Sequence, residues 1–333
     1  MYRNIKLIKL TVFSLLLFII VTDSQTAVFA SKNSIDLCIK SVIPNIFPFI
    51  FLGGMIAGEI AGMRIPALEQ ILRIPRGTAG YFIIGHLCGY PVGAKLLHDA
   101  VLRKEIEQDA ASRMVAFCNN ASPAFIIGIM TSLFSNLWIG IILWFVQILS
   151  SLLLGILLPR VTITKCQYHN VKQQNIGKIM SDTIRSTATI CGWIVAFGIL
   201  LTFISEPMTN LLSPFGSAML TGSIELTNGL FRLHNIRSES LRFIVSSALL
   251  SFGGICILLQ TKSVAPFLNL KTYLFARLIH ATISSITATI MAAFLFSPNI
   301  IFLGCIPLLI CAGIVCCSIL LFNKKMVAFT AKL

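Results

Sequence analysis

The residues of this sequence that could do chemistry are small polar groups set inside long apolar stretches. Asn119, Asn120, Ser122 and Pro123 form one such cluster, within FCNNASPAFIIG at positions 117–128. Their amides, and a half-helix N-terminus opened by the proline, could bind a carboxylate or a polar ring at membrane depth. The alternative is that they form hydrogen bonds between helices, as asparagine and serine often do in membranes. We favour the binding site.

A second cluster carries an ionisable group. Glu225, Thr227 and Asn228 lie in GSIELTNG at positions 222–229. An acidic residue in a break of an apolar segment is a functional hypothesis by default. Three interpretations stay open for Glu225: it carries a coupling proton, it pairs with Lys95, or it lies solvated at the membrane interface.

Glycine-rich turns form the third group of candidates. Glycine lets the backbone approach a ligand closely. A lysine beside a glycine-rich turn either attracts an anion or extends its ammonium group to a lipid headgroup. His86, Gln260 and Thr261 lie in the apolar runs beside these turns. The candidate residues in GYPVGAKLL (89–97) and SFGGICILLQT (251–261) are Gly89, Tyr90, Pro91, Gly93, Lys95, Gly253 and Gly254.

Catalytic and metal-binding patterns are missing from the sequence. It contains no Gly-x-Ser-x-Gly turn, no His-Glu-x-x-His, no P-loop and no dinucleotide fingerprint. The ten cysteines form no CxxC pair, and most lie in apolar runs where cysteine acts as a small hydrophobe. We therefore predict no catalytic residue, no metal, no cofactor and no enzymatic activity, with a membrane-embedded enzyme as the third-ranked alternative.

The elements that must position these residues are membrane helices. Hydrophobic residues make up 56% of the chain, charged residues only 11%, and the mean hydropathy is +0.89. A soluble domain carries about 25% charged residues, so this chain cannot cover a soluble surface. The net charge of +14 comes from basic residues in short loops, which is typical of cytoplasmic loops and not of nucleic-acid binding. Five runs are long enough to span a bilayer: Leu7 to Phe29, Trp138 to Leu158, Ile184 to Ile204, Leu274 to Phe296 and Ile300 to Phe322.

Other apolar runs are short and interrupted. Phe47 to Ala61, Tyr81 to Leu97 and Val115 to Met130 are brief for full spans, and prolines or glycines interrupt the region. Broken backbone survives at membrane depth only inside protein or beside water. We expect half-helices or re-entrant hairpins among them, with the charged stretch His98 to Arg113 as a water-exposed link.

The sequence also repeats three landmarks in the same order. An aspartate opens a span at Asp36 and again at Asp182, and a glycine-bounded break and a phenylalanine-led run follow each time. The basic N-terminus should lie in the cytoplasm, so a first membrane span places Asp36 on the outside. The basic linker should also lie in the cytoplasm, so the second copy begins on the cytoplasmic side. The fold class predicted is therefore all-α, a polytopic membrane bundle of two inverted repeats with broken helices or re-entrant hairpins.

These patterns divide the chain into five parts. Residues 1–30 form a transmembrane anchor or a cleaved signal peptide, and the extended apolar run favours the anchor. The remaining parts are a first repeat at 31–160, a basic cytoplasmic linker at 161–180, a second repeat at 181–297, and a C-terminal transmembrane helix with a basic tail at 298–333.

The motifs resemble a known family. GYPVGAKLL, FCNNASPAFIIG and VIPNIFPF (42–49), with ELTNG (225–229) and SFGG (251–254), are similar to those of the YlbJ-type sporulation integral membrane proteins, within the wider nucleoside-recognition or "gate" domain group. The resemblance runs from about Ser31 to Phe296. It implies a role in endospore formation and movement of dipicolinic acid across the outer forespore membrane from the mother cell.

The residues and the resemblance together predict a transporter or permease for a small anionic aromatic metabolite, with dipicolinate first. Its partners would be that metabolite and the lipid bilayer, without nucleic acid, and it would form a homo-oligomer or meet other sporulation membrane proteins. The multi-pass protein would lie in the cell membrane, at the outer forespore or mother-cell membrane. The second hypothesis is a non-transporting sporulation scaffold or sensor. The third is a nucleoside-like solute transporter or a membrane-embedded enzyme.

Overall fold

The chain forms a bundle of helices. The computed structural model describes residues 10–159 and 175–296, apart from positions 12, 13, 16, 61 and 210. Every regular element in those residues is helical, which confirms the all-α class. The predicted span Ile300 to Phe322 and most of the linker 161–180 lie outside the described residues. The α-helices are α1 (Ser24–Leu37), α2 (Ile43–Ile60), α3 (Pro66–Leu72), α4 (Ala79–Cys88), α5 (Val92–Leu102), α6 (Gln108–Cys118), α7 (Pro123–Phe134), α8 (Leu137–Leu157), α9 (Ile176–Thr209), α10 (Pro214–Ile224), α11 (Leu226–Arg232), α12 (Glu239–Phe252), α13 (Gly254–Val264) and α14 (Leu270–Leu295).

Several helical segments can cross a membrane. About 20 apolar residues at 1.5 Å per residue cover the hydrocarbon layer. Among the described residues, five segments meet that length and apolarity: Gln108–Phe134, Leu137–Leu157, Ile176–Phe203, Glu239–Val264 and Leu270–Leu295. Two of them are α6 with α7 and α12 with α13, which are broken helices. The multi-pass membrane location is thereby supported at the level of the fold.

The order of elements occurs twice. The first unit, residues 24–157, contains a long helix (α1 continuing into α2), a helix pair joined by a tight turn (α4–α5), a broken helix (α6–α7) and a full span (α8). The second unit, residues 176–295, contains α9, the pair α10–α11, the broken helix α12–α13 and the span α14 in the same order. The short helix α3 is an insertion of the first unit.

The leading helices of the two units pack antiparallel, and so do their last spans. Along the leading helices, Ser34 contacts Gly198, Cys38 Sγ lies 3.9 Å from the Cys191 carbonyl oxygen, and Gly54 contacts Ile179. The residue numbers rise on one helix as they fall on the other, so the two helices run in opposite directions. The last spans do the same, since Gln147 bonds Ser284 at 2.9 Å and Ser150 bonds His280 at 3.1 Å.

The breaks arise from local backbone chemistry. Pro123 is the first residue of α7, where its missing N–H costs nothing, and the Ser122 hydroxyl accepts from the Phe125 N–H at 3.3 Å. In the second unit Gly253 and Gly254 have φ of +85° and +75°, a region that favours glycine. The expectation of half-helices is confirmed in the run Val115 to Met130, where α6 ends and α7 begins, whereas the break between α12 and α13 was not among the runs expected to be interrupted.

Two local expectations were wrong. The run Phe47 to Ala61 is not a separate half-helix, because a π-helical turn at Cys38–Val42 joins α1 directly to α2. The link from His98 to Arg113 is not uniformly water-exposed. Glu105 is buried against Tyr81 and Arg103, and Arg113 is buried while donating to backbone carbonyls of α8 and of the loop after α3.

Candidate functional site

A narrow cleft lies between the two units, at the turns of both helix pairs. We call it the central cleft, and its volume is about 60 Å³. The first unit contributes Gly89, Tyr90 and Ser122, and the second contributes Glu225 and Thr227. Five residues predicted from separate sequence motifs therefore line one space. The other lining residues are Val42, Ile46, Cys88, Phe125, Ile190, Ile194, Leu226, Ile257 and Gln260.

Close backbone packing positions the first unit's side of the cleft. A Cβ at Gly89 would lie 2.9 Å from the Ser122 backbone nitrogen, and Gly89 also has a φ of +81°. A side chain at Gly93 would overlap the carbonyl oxygen of Cys118. The glycines thus allow the turn between α4 and α5 to lie directly on the break between α6 and α7. This contact brings the N-terminus of α7, capped by Ser122, to the cleft.

Glu225 forms the second unit's side of the cleft. Its side chain is buried, and its carboxylate accepts from the Thr227 N–H at 3.0 Å, the Asn228 N–H at 2.8 Å and the Asn228 side-chain amide at 2.9 Å. A carboxylate at a helix N-terminus satisfies unpaired N–H groups and matches the positive end of the helix dipole. The expectation of a solvated Glu225 was therefore wrong. Pairing with Lys95 was also wrong, because the Lys95 ammonium bonds Asp99 at 3.0 Å.

Tyr90 brings an unpaired hydroxyl to the same cleft. Its oxygen is buried and has no hydrogen-bond partner among the residues that the structure describes. Buried hydroxyls almost always have partners, so an unpaired one lining a cleft is a group free to bind a ligand. Gln260 also lines the cleft, where its amide donates to Cys256 Sγ at 3.2 Å.

The two asparagines of the first cluster are engaged by other helices. The Asn119 amide donates to Thr261 Oγ1 and to the Tyr273 hydroxyl, each at 3.0 Å. The Asn120 amide donates to the Phe117 carbonyl at 2.8 Å and lies 3.0 Å from His86 Nε2. Both side chains are buried. The hydrogen-bonding alternative therefore describes the geometry of this pair, which holds the two units together behind the cleft.

A buried arginine ties the two broken helices to each other. Arg277 of α14 is 1% exposed and donates to the Asn119 carbonyl at 3.0 Å, the Asn120 side-chain oxygen at 3.1 Å and the Leu250 and Phe252 carbonyls at 3.4 Å each. These acceptors lie at the C-terminal ends of α6 and α12, where carbonyls lack helical partners and a cation is favoured. Sequence reasoning missed Arg277. The available signal was a charged residue inside the apolar span Leu274 to Phe296.

A second buried network lies between the full spans. The Gln147 amide donates to Ser247 and Ser284, and its oxygen accepts from the Ser251 hydroxyl at 2.8 Å. All four side chains are buried. Each polar atom of Gln147 is thus satisfied by the opposite unit, and this network stabilises the interface rather than offering a free site.

The remaining predicted residues lie around the cleft without lining it. Lys95 points to a separate small pocket on α5, and Asn228 lines a larger cavity on the other side of Glu225. Pro91 follows a cis peptide bond and precedes α5. Pro123 begins α7, and a Cβ at Gly254 would lie 2.8 Å from the Gly222 carbonyl oxygen. Gly253 ends α12 beside Arg277.

The described part of the chain contains no cluster of side chains that could bind a metal ion. No group of three or more histidine, cysteine, aspartate or glutamate side chains is close enough there to hold an ion. The site instead presents a hydroxyl, an amide, a buried carboxylate and helix N-termini, which are groups that bind a polar organic solute.

Comparisons with known proteins identify one relative. Over 335 residues the chain is 24% identical to the "Sporulation integral membrane protein YlbJ" of Bacillus subtilis (strain 168), covering 84% of this chain and 82% of that protein. No family model matches the sequence, and no solved structure matches it. The chain is a multi-pass membrane protein and a homologue of this sporulation protein, which confirms its resemblance to the YlbJ-type sporulation integral membrane proteins.

Proposed function

We propose that the protein is a transporter or permease for a small anionic aromatic metabolite, with dipicolinate first, and that it acts during endospore formation. The observation that carries the proposal is the central cleft, where breaks of both units meet between antiparallel halves. We place the protein in the outer forespore or mother-cell membrane, with the metabolite and the bilayer as its partners. Its proposed role requires no enzymatic step.

Inverted repeats are the architectural part of the proposal. We propose that the first unit crosses the membrane with its leading helix, its broken helix and α8, while the pair α4–α5 enters and returns. Three crossings place the second unit's start on the opposite side, which agrees with the antiparallel contacts of the leading helices. Many secondary transporters carry their substrate site between such halves and expose it to each side in turn.

The chemistry of the cleft supports an anionic aromatic solute. The Ser122-capped N-terminus of α7 is the positive end of a helix dipole, which favours a carboxylate. The Tyr90 hydroxyl can donate a hydrogen bond, and the apolar side chains of Ile46, Phe125 and Ile190 can pack on a ring. With a volume of about 60 Å³ the cleft holds only a few waters, so substrate binding must widen it.

Glu225 gives the proposal a means of coupling. In the structure its carboxylate occupies the N–H groups of Thr227 and Asn228 and places negative charge at the cleft. Protonation removes that charge and weakens the hydrogen bonds from the N–H groups, so that the carboxylate of a substrate can compete for these donors. We therefore propose proton-coupled transport, in which Glu225 and the substrate anion compete for the same donors.

Counterflow in proteoliposomes tests this function without assuming an ion gradient. Vesicles loaded with unlabelled dipicolinate should accumulate labelled dipicolinate transiently, and empty vesicles should not. Uridine is the control for a nucleoside-like solute. If folded protein exchanges uridine and not dipicolinate, the nucleoside reading replaces ours. Exchange of neither solute would favour a scaffold or sensor.

A further inference from the structure

A second and much larger cavity lies beside Arg232, between α1, α9 and the pair α10–α11. Its volume is about 550 Å³, within the range of ligand sites in proteins. We call it the Arg232 cavity. Much of its lining is polar, including Gln25, Asn33, Ser34, Thr202, Asn228 and Arg232.

Arg232 is the charged side chain among the residues that line this cavity in the described part of the chain. The Arg232 guanidinium donates to the Ser217 hydroxyl at 3.1 Å, and among the described residues it forms no ion pair with a carboxylate. Three carboxylates among the described side chains lie close in sequence to lining residues, and each has a partner: Glu225 caps α11, Asp23 accepts from the Thr26 N–H at 3.2 Å, and Asp36 pairs with Lys40 at 2.7 Å. An unneutralised arginine in a polar cavity attracts anions.

A buried polar atom also lines the cavity without a partner. Thr221 is 1% exposed, and its hydroxyl oxygen has no hydrogen-bond partner within residues 10–159 and 175–296 as the structure describes them. Buried polar atoms without a partner are rare in folded proteins, and this one suits a site that binds water or a solute. The cavity thus has both a charge and a free hydrogen-bonding group.

The Arg232 cavity adjoins the central cleft. Ile194 of α9 lines both spaces. Thr227 lines the cleft, and the next residue, Asn228, lines the cavity. The buried side chain of Ile194 is therefore a wall that separates the large cavity from the site between the units.

A counterpart lies near the other end of α9 and is closed. This pocket, here called the Lys95 pocket, has a volume of about 20 Å³ and is lined by Gly54, Lys95, Asp99, Ile179 and Thr183, among others. It has room for about one water. Its lysine is neutralised by Asp99 at 3.0 Å, whereas Arg232 has no such partner in the described chain. Lys95 on α5 and Arg232 on α11 belong to corresponding helices of the two units.

We propose that the Arg232 cavity is the open entrance through which an organic anion reaches the central cleft, and that the Lys95 pocket is the closed entrance on the other side. This inference rests on the proposed transport function. Arg232 attracts the anion, and Ile194 is the barrier that the anion passes. The structure is then one of two states, open at the Arg232 end and closed at the Lys95 end.

Two matched threonines of α9 test the openness of each end. Thr202 lines the Arg232 cavity and Thr183 lines the Lys95 pocket, and each hydroxyl donates to the carbonyl four residues earlier. Thr202→Cys and Thr183→Cys are therefore equivalent changes at opposite ends. With the native cysteines' reaction subtracted, a water-soluble methanethiosulfonate should label Thr202→Cys at least about tenfold faster than Thr183→Cys, because the cavity at Thr202 has room for the reagent and the pocket at Thr183 has room for about one water.

Arg232 is tested in the same Thr202→Cys background. Arg232→Gln should lower the ratio of labelling by an anionic sulfonate reagent to labelling by a cationic ammonium reagent by about threefold or more. Arg232→Lys should preserve the ratio, because it keeps the charge. Equal labelling of the two threonine positions, or an unchanged ratio in Arg232→Gln, would overturn the inference.

Protection by dipicolinate separates this inference from the proposed function. If Thr202→Cys reacts as expected and dipicolinate slows the reaction, both ideas gain support. If the labelling pattern holds and dipicolinate has no effect at any concentration, the anion entrance stands and dipicolinate is not its substrate. Failure of the labelling pattern removes the entrance, whatever counterflow shows.

Discussion

At the scale of single residues, Glu225 is the group whose charge matters most. Its carboxylate accepts hydrogen bonds from the N–H groups of Thr227 and Asn228 at the central cleft. Glu225→Gln keeps an acceptor for the cap but removes the proton-binding site. We expect proton-driven accumulation of dipicolinate to fall by at least about tenfold, while counterflow remains.

The conservative variant Glu225→Asp supplies the control for this prediction. Aspartate keeps the charge and is a favoured helix cap, so proton-driven accumulation should be largely retained. Equal accumulation by wild type and Glu225→Gln under a proton gradient would show that Glu225 does not couple transport.

Arg277 is the residue on which the interface of the two broken helices depends. Arg277→Met leaves the Asn119 and Leu250 carbonyls and the Asn120 side-chain oxygen without their donor. Hydrogen bonds from a charged group contribute about 1.5–3 kcal/mol each. Their loss therefore costs more free energy than the variant gains by no longer burying a charged group. We expect the free energy of unfolding to fall by about 3 kcal/mol, measured as thermal unfolding in detergent.

The matched control is Arg185→Met, since Arg185 is exposed on α9 and should change stability little. Arg277→Lys should also destabilise the protein, because one ammonium group cannot reach the fork of acceptors that a guanidinium does. If the Arg277→Met variant were as stable as the wild type, these carbonyls would have other donors, and the hydrogen bonds from Arg277 would not be needed to hold the two broken helices together.

At the scale of elements, the glycine turn between α12 and α13 makes a sharp prediction. Gly254 has a φ of +75°, and a Cβ there would lie 2.8 Å from the Gly222 carbonyl. Gly254→Ala should cost about 2 kcal/mol or more and reduce counterflow, because it pushes the turn off the pair α10–α11. Gly192→Ala in α9 meets nothing within 4 Å and should leave both thermal stability and counterflow unchanged or slightly improved.

The same elements show what the sequence could predict. Pro123 lacks an N–H and Gly253 tolerates a positive φ, so both breaks are local properties that can be read from sequence. The pairing of Lys95 with Asp99 was also readable, because residues four apart share a helix face. The bond from Asn119 to Thr261 was not, since it joins residues 142 apart in the chain through the packing of the two units. The same holds for the shared lining of the cleft by Tyr90 and Glu225.

At the scale of the whole molecule, the proposed transport function gives the two units one open end, at the Arg232 cavity, and one closed end, at the Lys95 pocket. The leading helices touch at Ser34 and Gly198 beside the large cavity, and at Gly54 and Ile179 beside the small pocket. Alternating access requires these two ends to open in turn. A covalent link at the closed end should therefore stop transport, while an unlinked protein with the same substitutions should still work.

The most direct measurement is dipicolinate counterflow by the double variant Gly54→Cys with Ile179→Cys, before and after reduction. A Cβ at Gly54 would lie 2.9 Å from Ile179 Cγ2, so the two cysteines are close enough for a disulfide. We predict that the oxidised protein exchanges no dipicolinate and that reduction restores exchange towards the wild-type rate. The account would be contradicted if exchange continued unchanged after the disulfide had been shown to form completely. It would also be contradicted if neither the reduced variant nor the wild type exchanged dipicolinate.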